Sequence, residues 1–292
     1  MTPSQVLGWS AEEADEYLER LEERVPQRPR LLELPTAAGT EAIVFGDSHG
    51  DWRATAEPVE RFHRAPDRSV LIGLGDYVDR SPADCGAGSV ANAVSLLALA
   101  ADHPDRVVLI VGNHELVRRI PALPHDLPEE IDLLWGPDQE RYDRLIGLLE
   151  RGPLAVRTAN GAYLAHAGFP RDDGTDWAAK FDHPTDDTLL DVTWADCEGS
   201  GYERGIGAPL TERDVVRFLA RAQCKVFVRG HDPPLNARAV FHGAVLTLHT
   251  TRVYERFGGV VYGTFPLDRP LRSARDIQLH HGAVEGKRFE EP

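Results

Sequence analysis

Cysteine and long apolar runs are scarce in this sequence. Its 292 residues include three cysteines, Cys85, Cys197 and Cys224, which lie far apart and form no Cys-x-x-Cys pair. A small, odd number of scattered cysteines argues against a disulfide framework and against a thiolate metal site. No apolar run reaches the roughly 18 residues of a transmembrane helix. The N-terminus carries no basic region followed by an apolar one, so we expect no secretory signal and a cytoplasmic location.

Positive charge is also in short supply. The chain has 32 basic and 47 acidic residues, a formal net charge of −15, and only three of the basic residues are lysines. Nucleic acids and acidic membrane surfaces bind basic patches, so a net negative chain disfavours both as partners over a broad surface. We therefore expect neither a nucleic acid nor a membrane as a partner, and we leave the oligomeric state open.

What the sequence does contain is an alternation of strand and helix patterns. Apolar strands are predicted at 41–47, 69–76 and 105–113, and helical patterns at 52–64 and 88–103 separate them. These strands are apolar on both faces, which is typical of a parallel, buried sheet in a βαβαβ arrangement. Pro58 must lie near the start of the first of these helices or kink it.

The same patterns divide the chain into three parts. We expect a helical extension at 1–35 that precedes the fold, a main α/β domain at 36–268, and a polar, loosely held tail at 269–292. The second half of the main domain is richer in strands, predicted at 154–158, 162–168, 225–231, 237–241, 244–250 and 258–265. A helix at 211–222 interrupts them, with Thr211 as its N-cap and Asp214 at its third position.

Polar residues follow a glycine at the end of each of the first three strands. The segments are Gly-Asp-Ser-His-Gly at 46–50, Gly-Asp-Tyr-Val-Asp-Arg at 75–80 and Gly-Asn-His-Glu at 112–115. Two later strands end in His166 and His231. Because ligands of open α/β sheets bind outside the carboxyl ends of the strands, we expect all these side chains in one crevice.

The combination of residue types predicts a metal site. A single histidine at a strand end is more often a hydrogen-bonded turn residue than a ligand. Carboxylate, imidazole and amide groups after five apolar runs are much harder to explain by chance. Oxygen and imidazole donors without thiolate suit Mn, Fe or Zn rather than a structural zinc site.

The three segments resemble, in order and spacing, the signature blocks of metallophosphoesterases. The pair Gly-Asp-Tyr-Val-Asp-Arg and Gly-Asn-His-Glu is most similar to the serine/threonine phosphatases of the phosphoprotein phosphatase family, in a prokaryotic style. The blocks around His166, Arg204, His231 and 246–263 are similar to later blocks of the family, so the resemblance spans about 40–265. It implies a four-layer αββα sandwich of the calcineurin-like metallophosphoesterase type, with 36–268 as its catalytic domain.

The resemblance also implies a centre of two divalent metal ions, with Mn favoured and Fe or Zn as alternatives. Asp47 and His49 would bind the first metal, and Asp76 would bridge both metals. Asn113, His166 and His231 would complete the second. In the family mechanism, a hydroxide that bridges the two metals attacks phosphorus directly.

Further roles follow from the same resemblance. Arg80 and Arg204 would bind phosphate oxygens, with Asn113 also at the substrate. His114 would be the general acid, oriented by Asp79. Tyr254 either lines the substrate cleft or packs as a core aromatic, and His249 lies in the same overhanging segment. Glu115 is interpreted as a structural acid that opens a helix. The remaining histidines are expected on the surface or in loops: His63, His103, His125, His183, His242, His280 and His281.

Two enzymatic functions remain open. The first is a protein phosphatase that acts on phosphoserine or phosphothreonine, and on phosphotyrosine as well in a broader form. The alternative is a dinucleoside polyphosphatase or another small-molecule phosphoesterase. A non-catalytic binding module is disfavoured because every expected ligand is present. Ser81, Val111 and Ala167 depart from the usual family pattern near the cleft. The identity of the substrate therefore cannot be taken over from other members of the family.

Overall fold

Two β-sheets pack face to face between two layers of helices in the computed structural model, which describes residues 1–201 and 204–282. The strands are β1 (Leu31–Leu34), β2 (Glu41–Phe45), β3 (Ser69–Gly73), β4 (Val107–Leu109), β5 (Ala155–Thr158), β6 (Ala162–Ala165), β7 (Val226–Arg229), β8 (Ala239–Val240), β9 (Val245–Thr247), β10 (Val261–Pro266) and β11 (Gln278–His281). One sheet has the order β1-β5-β6-β7-β9-β8, and the other has the order β11-β10-β2-β3-β4.

The five-stranded sheet contains the predicted βαβαβ unit. Strands β2, β3 and β4 pair in parallel, with Ile43 opposite Leu71 and Leu71 opposite Val107. Strands β10 and β11 continue this sheet in antiparallel pairing beyond β2. The sequence predicts a loose tail from residue 269, yet Gln278–His281 form an edge strand of the sheet. Residues 283–292 of that tail lie outside the described residues.

Alternating side chains of β2 define the layers. Ile43 and Phe45 pack into a core shared with the helices, whereas Ala42 and Val44 belong to the core that lies between the two sheets. A third core packs the outer face of the six-stranded sheet, through Tyr163 and Phe227, against helical residues such as Phe218. The predicted four-layer αββα sandwich is thereby confirmed.

The helices account for both outer layers. They are α1 (Pro3–Val6), α2 (Ala11–Arg24), α3 (Trp52–Arg64), α4 (Gly88–Asp102), α5 (Leu127–Trp135), α6 (Gln139–Leu149), α7 (Asp186–Thr193) and α8 (Glu212–Arg221). Thr211 caps α8 and accepts the N–H of Asp214, as predicted. Pro58 lies inside α3, and the helix runs continuously through it. The sequence patterns do not predict α5, α6 or α7. None of the helices in 1–201 and 204–282 is long and apolar enough to cross a bilayer.

The N-terminal segment is part of the core, although the sequence predicts an extension that precedes the fold. Helix α2 packs against α4, α5 and α6, and its Leu18 and Leu21 are buried. Arg141 of α6 forms a paired hydrogen bond with Asp15 of α2 at 2.7 and 2.9 Å. Strand β1 also joins the six-stranded sheet by pairing with β5.

We expect Leu18→Ala to lower the free energy of unfolding by about 2–5 kcal/mol, because it leaves a cavity in the core that α2 shares with the other helices. Leu133→Ala makes the same change at a side chain that is 83% exposed. The control should shift stability by less than about 0.5 kcal/mol. Unfolding in urea, monitored by circular dichroism, measures the stability of both variants. Equal stability of the two variants would show that the N-terminal helices contribute nothing to the core.

Candidate active site

The loops that follow strands of both sheets are bonded to one another at one edge of the sandwich. His49, after β2, donates its backbone N–H to the carbonyl of Asp76, after β3, at 2.9 Å. Thr250, after β9 of the other sheet, donates to the carbonyl of Gly46 at 2.6 Å. The predicted crevice therefore exists, and the loops that form it belong to both sheets.

The backbone at this edge is unusually strained. Six predicted site residues other than glycine have φ between 32° and 68°, namely Asp47, His49, Asp76, Asp79, Arg80 and His231. Each residue in this left-handed region costs about 1–3 kcal/mol and persists only where its surroundings hold it. Their N–H groups show how: Asp79 donates to Ser89 Oγ at 2.8 Å, and Arg80 donates to Asp126 Oδ2 at 2.9 Å.

Glycines allow the loops to approach one another closely. A Cβ at Gly230, the residue before His231, would overlap Oδ1 of Asp47, and a Cβ at Gly112 would overlap Oδ1 of Asp76. Glycine at both positions is therefore required for the carboxylates to lie where they do.

The side chains form two groups of possible metal ligands that share one residue. His49, Asp76 and His114 each offer an atom within 4.8 Å of the others, and so do Asp76, His166 and His231. Nε2 of His166 lies 2.9 Å from Oδ1 of Asn113. Asp76 thus lies between the two groups, where a bridging ligand would have to be.

Asp47 belongs to neither group, although it lies beside the second. Its Oδ1 is 3.8 Å from Nδ1 of His166, and its carboxylate accepts the backbone N–H of His231 at 2.9 and 3.1 Å. Burial alone would raise the pKa of Asp47, but the neighbouring His249 and His166 lower it below its usual value. The carboxylate is therefore ionised, as a metal ligand must be.

The donor set fits a pair of divalent cations. Burial, aided by the charge of Arg80, lowers the pKa of His49 to about 3, and burial also lowers the pKa of His231. Both imidazoles are then neutral at pH 7 and able to donate a lone pair. Nδ1 of His231 lies 3.2 Å from Nε2 of His166, and that nitrogen lies 2.9 Å from Oδ1 of Asn113. Donor atoms that converge in this way beside the buried Asp76 are what a cation would satisfy.

His114 and Asp79 form a buried pair next to this donor set. Nδ1 of His114 lies 2.5 Å from Oδ2 of Asp79. Burial favours the neutral acid, but the hydrogen bonds from His114 and His125 lower the pKa of Asp79 below its usual value. An ionised Asp79 fixes the ring orientation of His114 and stabilises its protonated form.

His125 is a third member of this group. It lies in the loop before α5, and the sequence assigns it to the surface or a loop without any role. Its Nδ1 lies 3.0 Å from Oδ2 of Asp79, and its Nε2 lies 2.9 Å from the hydroxyl of Tyr142. The side chain is only 14% exposed. No sequence motif surrounds His125, so only its position in space reveals the contact.

The predicted phosphate-binding arginines lie on different sides of the ligand groups. Nη1 of Arg80 is 2.7 Å from the hydroxyl of Tyr254 and 3.2 Å from Nε2 of His49. Arg204 pairs with Asp196 and donates to the carbonyl of His231 at 2.7 Å. Tyr254 therefore lies at the centre itself, with its hydroxyl 3.0 Å from Nε2 of His49.

Comparison with known proteins identifies the family. Residues 41–235 match the family model of calcineurin-like phosphoesterases. The chain belongs to this family. It is 26% identical over 246 residues to the catalytic subunit of serine/threonine-protein phosphatase 4 of Saccharomyces cerevisiae, with 81% of this chain and 77% of that relative covered.

Solved structures share the fold of this phosphoesterase. A protein serine/threonine phosphatase of Saccharomyces cerevisiae superposes with a TM-score of 0.73 at 19% identity, over 95% of this chain and 91% of the other. A protein provisionally described as a diadenosine tetraphosphatase superposes with a TM-score of 0.51 at 17% identity, over 88% and 99%. At these identities the likeness shows the fold alone.

Glu115 supports the shared aspartate of the phosphoesterase site. Its fully buried carboxylate accepts the backbone N–H groups of Asp76, Tyr77 and Gly112, each at 2.8 Å. Burial and the charge of Asp76 raise the pKa of Glu115 to about 8. The sequence predicts that Glu115 opens a helix, but the chain forms turns here, so the acid holds the two loops together instead.

We expect Asp76→Asn to bind less metal than any variant at a ligand of one site only, because Asp76 belongs to both ligand groups. His49→Ala should lose the first cation and retain part of the second. Asp67→Asn, at an exposed position, is the matched control and should retain all metal. Elemental analysis of protein purified with Mn²⁺ and then desalted measures the content. Full metal content in both ligand variants would contradict the assignment of these residues.

Proposed function

We propose that this phosphoesterase is a protein phosphatase that hydrolyses phosphoserine and phosphothreonine esters with two divalent cations. The observation that carries the proposal is the position of His114: one ring nitrogen is bonded to Asp79, and the ring lies within the donor group of His49 and Asp76. An acid placed beside a metal centre suits protonation of an ester leaving group.

The residues would divide the centre between two cations. Asp47 and His49 would hold the first cation, Asp76 both, and Asn113, His166 and His231 the second. Mn is the proposed metal for both sites, with Fe or Zn as alternatives, because the donors are oxygen and imidazole. When bound, the cations supply a nucleophile at neutral pH and neutralise charge on the phosphoryl oxygens.

The other residues act on the substrate directly. Arg80 and Arg204 would present permanently charged, forked donors to phosphate oxygens. Arg80 lies beside His49, and Arg204 donates to the carbonyl of His231. Asn113 would contact a phosphate oxygen as well as the second cation. His114 donates a proton to the departing oxygen, and Asp79 stabilises the ring while it carries that proton. The hydroxyl of Tyr254 orients the Arg80 guanidinium, to which it lies at 2.7 Å.

A phosphoprotein is the proposed substrate because a sequence relative that covers 81% of this chain is a serine/threonine-protein phosphatase subunit. The alternative, a dinucleoside polyphosphatase, is supported by a structural likeness with a lower TM-score. Both activities could use the same centre, so substrate preference has to be measured.

With Mn²⁺, we expect kcat/KM on phosphoserine and phosphothreonine peptides to exceed kcat/KM on diadenosine tetraphosphate by at least about 10-fold, which corresponds to about 1.4 kcal/mol of transition-state binding. Release of phosphate measures hydrolysis of the peptides, and chromatography of the nucleotide products measures hydrolysis of the dinucleotide. The reverse order would favour the small-molecule alternative. If the protein hydrolyses neither of these substrates nor p-nitrophenyl phosphate, the proposal of a phosphoesterase is contradicted.

We expect His114→Asn to retain both cations but to lose about 10²–10⁴-fold in kcat on phosphopeptides, the usual contribution of a general acid. The loss on p-nitrophenyl phosphate should be much smaller, because p-nitrophenolate leaves without a proton. Asp79→Asn should show the same pattern with a smaller loss of kcat, and His125→Ala a smaller loss again, since both residues act through His114. Loss of metal, or equal losses on both substrates, would show that His114 is not the acid.

A further inference from the structure

The candidate metal centre contains a buried histidine to which the sequence assigns no role. His249 follows β9, and its side chain is fully buried. Neither ring nitrogen has a hydrogen-bond partner among the residues that the structure describes. A buried polar group without a partner costs about 1–3 kcal/mol. A buried imidazole without partners for its nitrogens indicates that a bound ligand supplies a partner.

Backbone contacts hold His249 firmly beside the first motif. Its N–H donates to Oδ1 of Asn236 at 2.9 Å, and its carbonyl accepts the N–H of Val261 at 2.7 Å. The following residue, Thr250, donates to the carbonyl of Gly46 at 2.6 Å, and Gly46 directly precedes Asp47. These backbone hydrogen bonds fix the end of β9 on both sides, and they hold the imidazole of His249 next to Asp47.

The position of the ring suits metal coordination better than a hydrogen bond. Nδ1 of His249 lies 3.3 Å from Oδ2 of Asp47, but the contact lacks hydrogen-bond alignment. Two ligand atoms at 2.0–2.2 Å from one ion, at an angle of 90–109°, are separated by about 2.8–3.6 Å. The observed separation lies in this interval. The ring of Tyr254 meets that of His249 edge to face, with centroids 5.1 Å apart, and restricts its rotation.

We propose that Nδ1 of His249 is a further ligand of the cation held by Asp47 and His49. With the shared Asp76, that cation then has two imidazole and two carboxylate ligands from the protein. Two imidazoles shift the preference of this site away from Mg or Ca and toward a transition metal. The inference rests on the metal centre of the proposed function, but it makes no use of the substrate or the reaction.

The test uses metal-free wild-type protein, His249→Ala and the control His63→Ala, which changes an exposed histidine of α3. Calorimetric titration with Co²⁺ gives the number and affinity of the sites. Proton NMR of the Co²⁺-loaded proteins gives the hyperfine-shifted ring N–H resonances, one for each bound imidazole.

We expect His249→Ala to bind one of two cations more weakly by over 100-fold, more than the roughly 10–100-fold loss typical of an outer-shell partner. At saturating Co²⁺ it should show one shifted resonance fewer than wild type, and His63→Ala should match wild type in both measurements. His249→Gln, which keeps a polar side chain of similar size, repeats the test if the alanine variant does not fold.

Equal affinities in wild type and His249→Ala would overturn the inference. Weaker binding with an unchanged set of shifted resonances would also overturn it, because His249 would then only orient Asp47. If wild-type protein binds no Co²⁺, the metal centre of the proposed function fails together with the inference. Two sites in wild type that are unaffected by His249→Ala would contradict the inference alone.

Discussion

The buried carboxylate of Glu115 joins the loop that carries the shared aspartate to the loop that carries Asn113 and His114. Three backbone N–H groups converge on it, and a hydrogen bond of this kind contributes about 0.5–1.5 kcal/mol. Together they offset the cost of burying a polar group away from water. Because Asp76 would serve both cations, this contact would hold in place the ligand that the two metal positions share.

The strained backbone around Asp76 is stable for a similar reason. Residues in the left-handed region place their side chains toward the crevice, and their N–H groups find acceptors that come from elsewhere in the chain. Asp76 donates to Glu115, Asp79 to Ser89 and His231 to Asp47. Strain at the site is thus balanced by hydrogen bonds between loops of both sheets, which couples the geometry of the site to the packing of the sandwich.

Asp79 is a second point at which distant segments meet. One oxygen accepts the backbone N–H groups of Asp126 and Leu127 at 2.8 and 2.9 Å, and the other lies within hydrogen-bond distance of His114 and His125. The start of α5 is therefore bonded to the carboxylate that orients the proposed acid. Helix α6 contributes as well, since the hydroxyl of Tyr142 lies 2.9 Å from Nε2 of His125.

Local patterns in the sequence predict most of the strands, several helices and most of the donor set. Glycine followed by polar residues at the end of an apolar strand is a signal within a few residues. Periodicity is equally local, so β2, β3, β4, α3, α4 and α8 were all predictable. The edge strand β11 and the packing of α2 were not, because polar or charged segments join a core only when a matching surface exists.

The sequence by itself determined which chemical groups the protein brings to its site and the parallel βαβαβ unit that carries many of them, because both are encoded in short-range spacing. Only the tertiary structure decided that Glu115 supports the loops rather than a helix, that His125 shares Asp79 with His114, and that His249 lies against Asp47. The contact between His125 and Asp79 joins residues 46 positions apart, and no local pattern marks His125 as the partner of Asp79. Such contacts exist only once two sheets have packed and their loops have met.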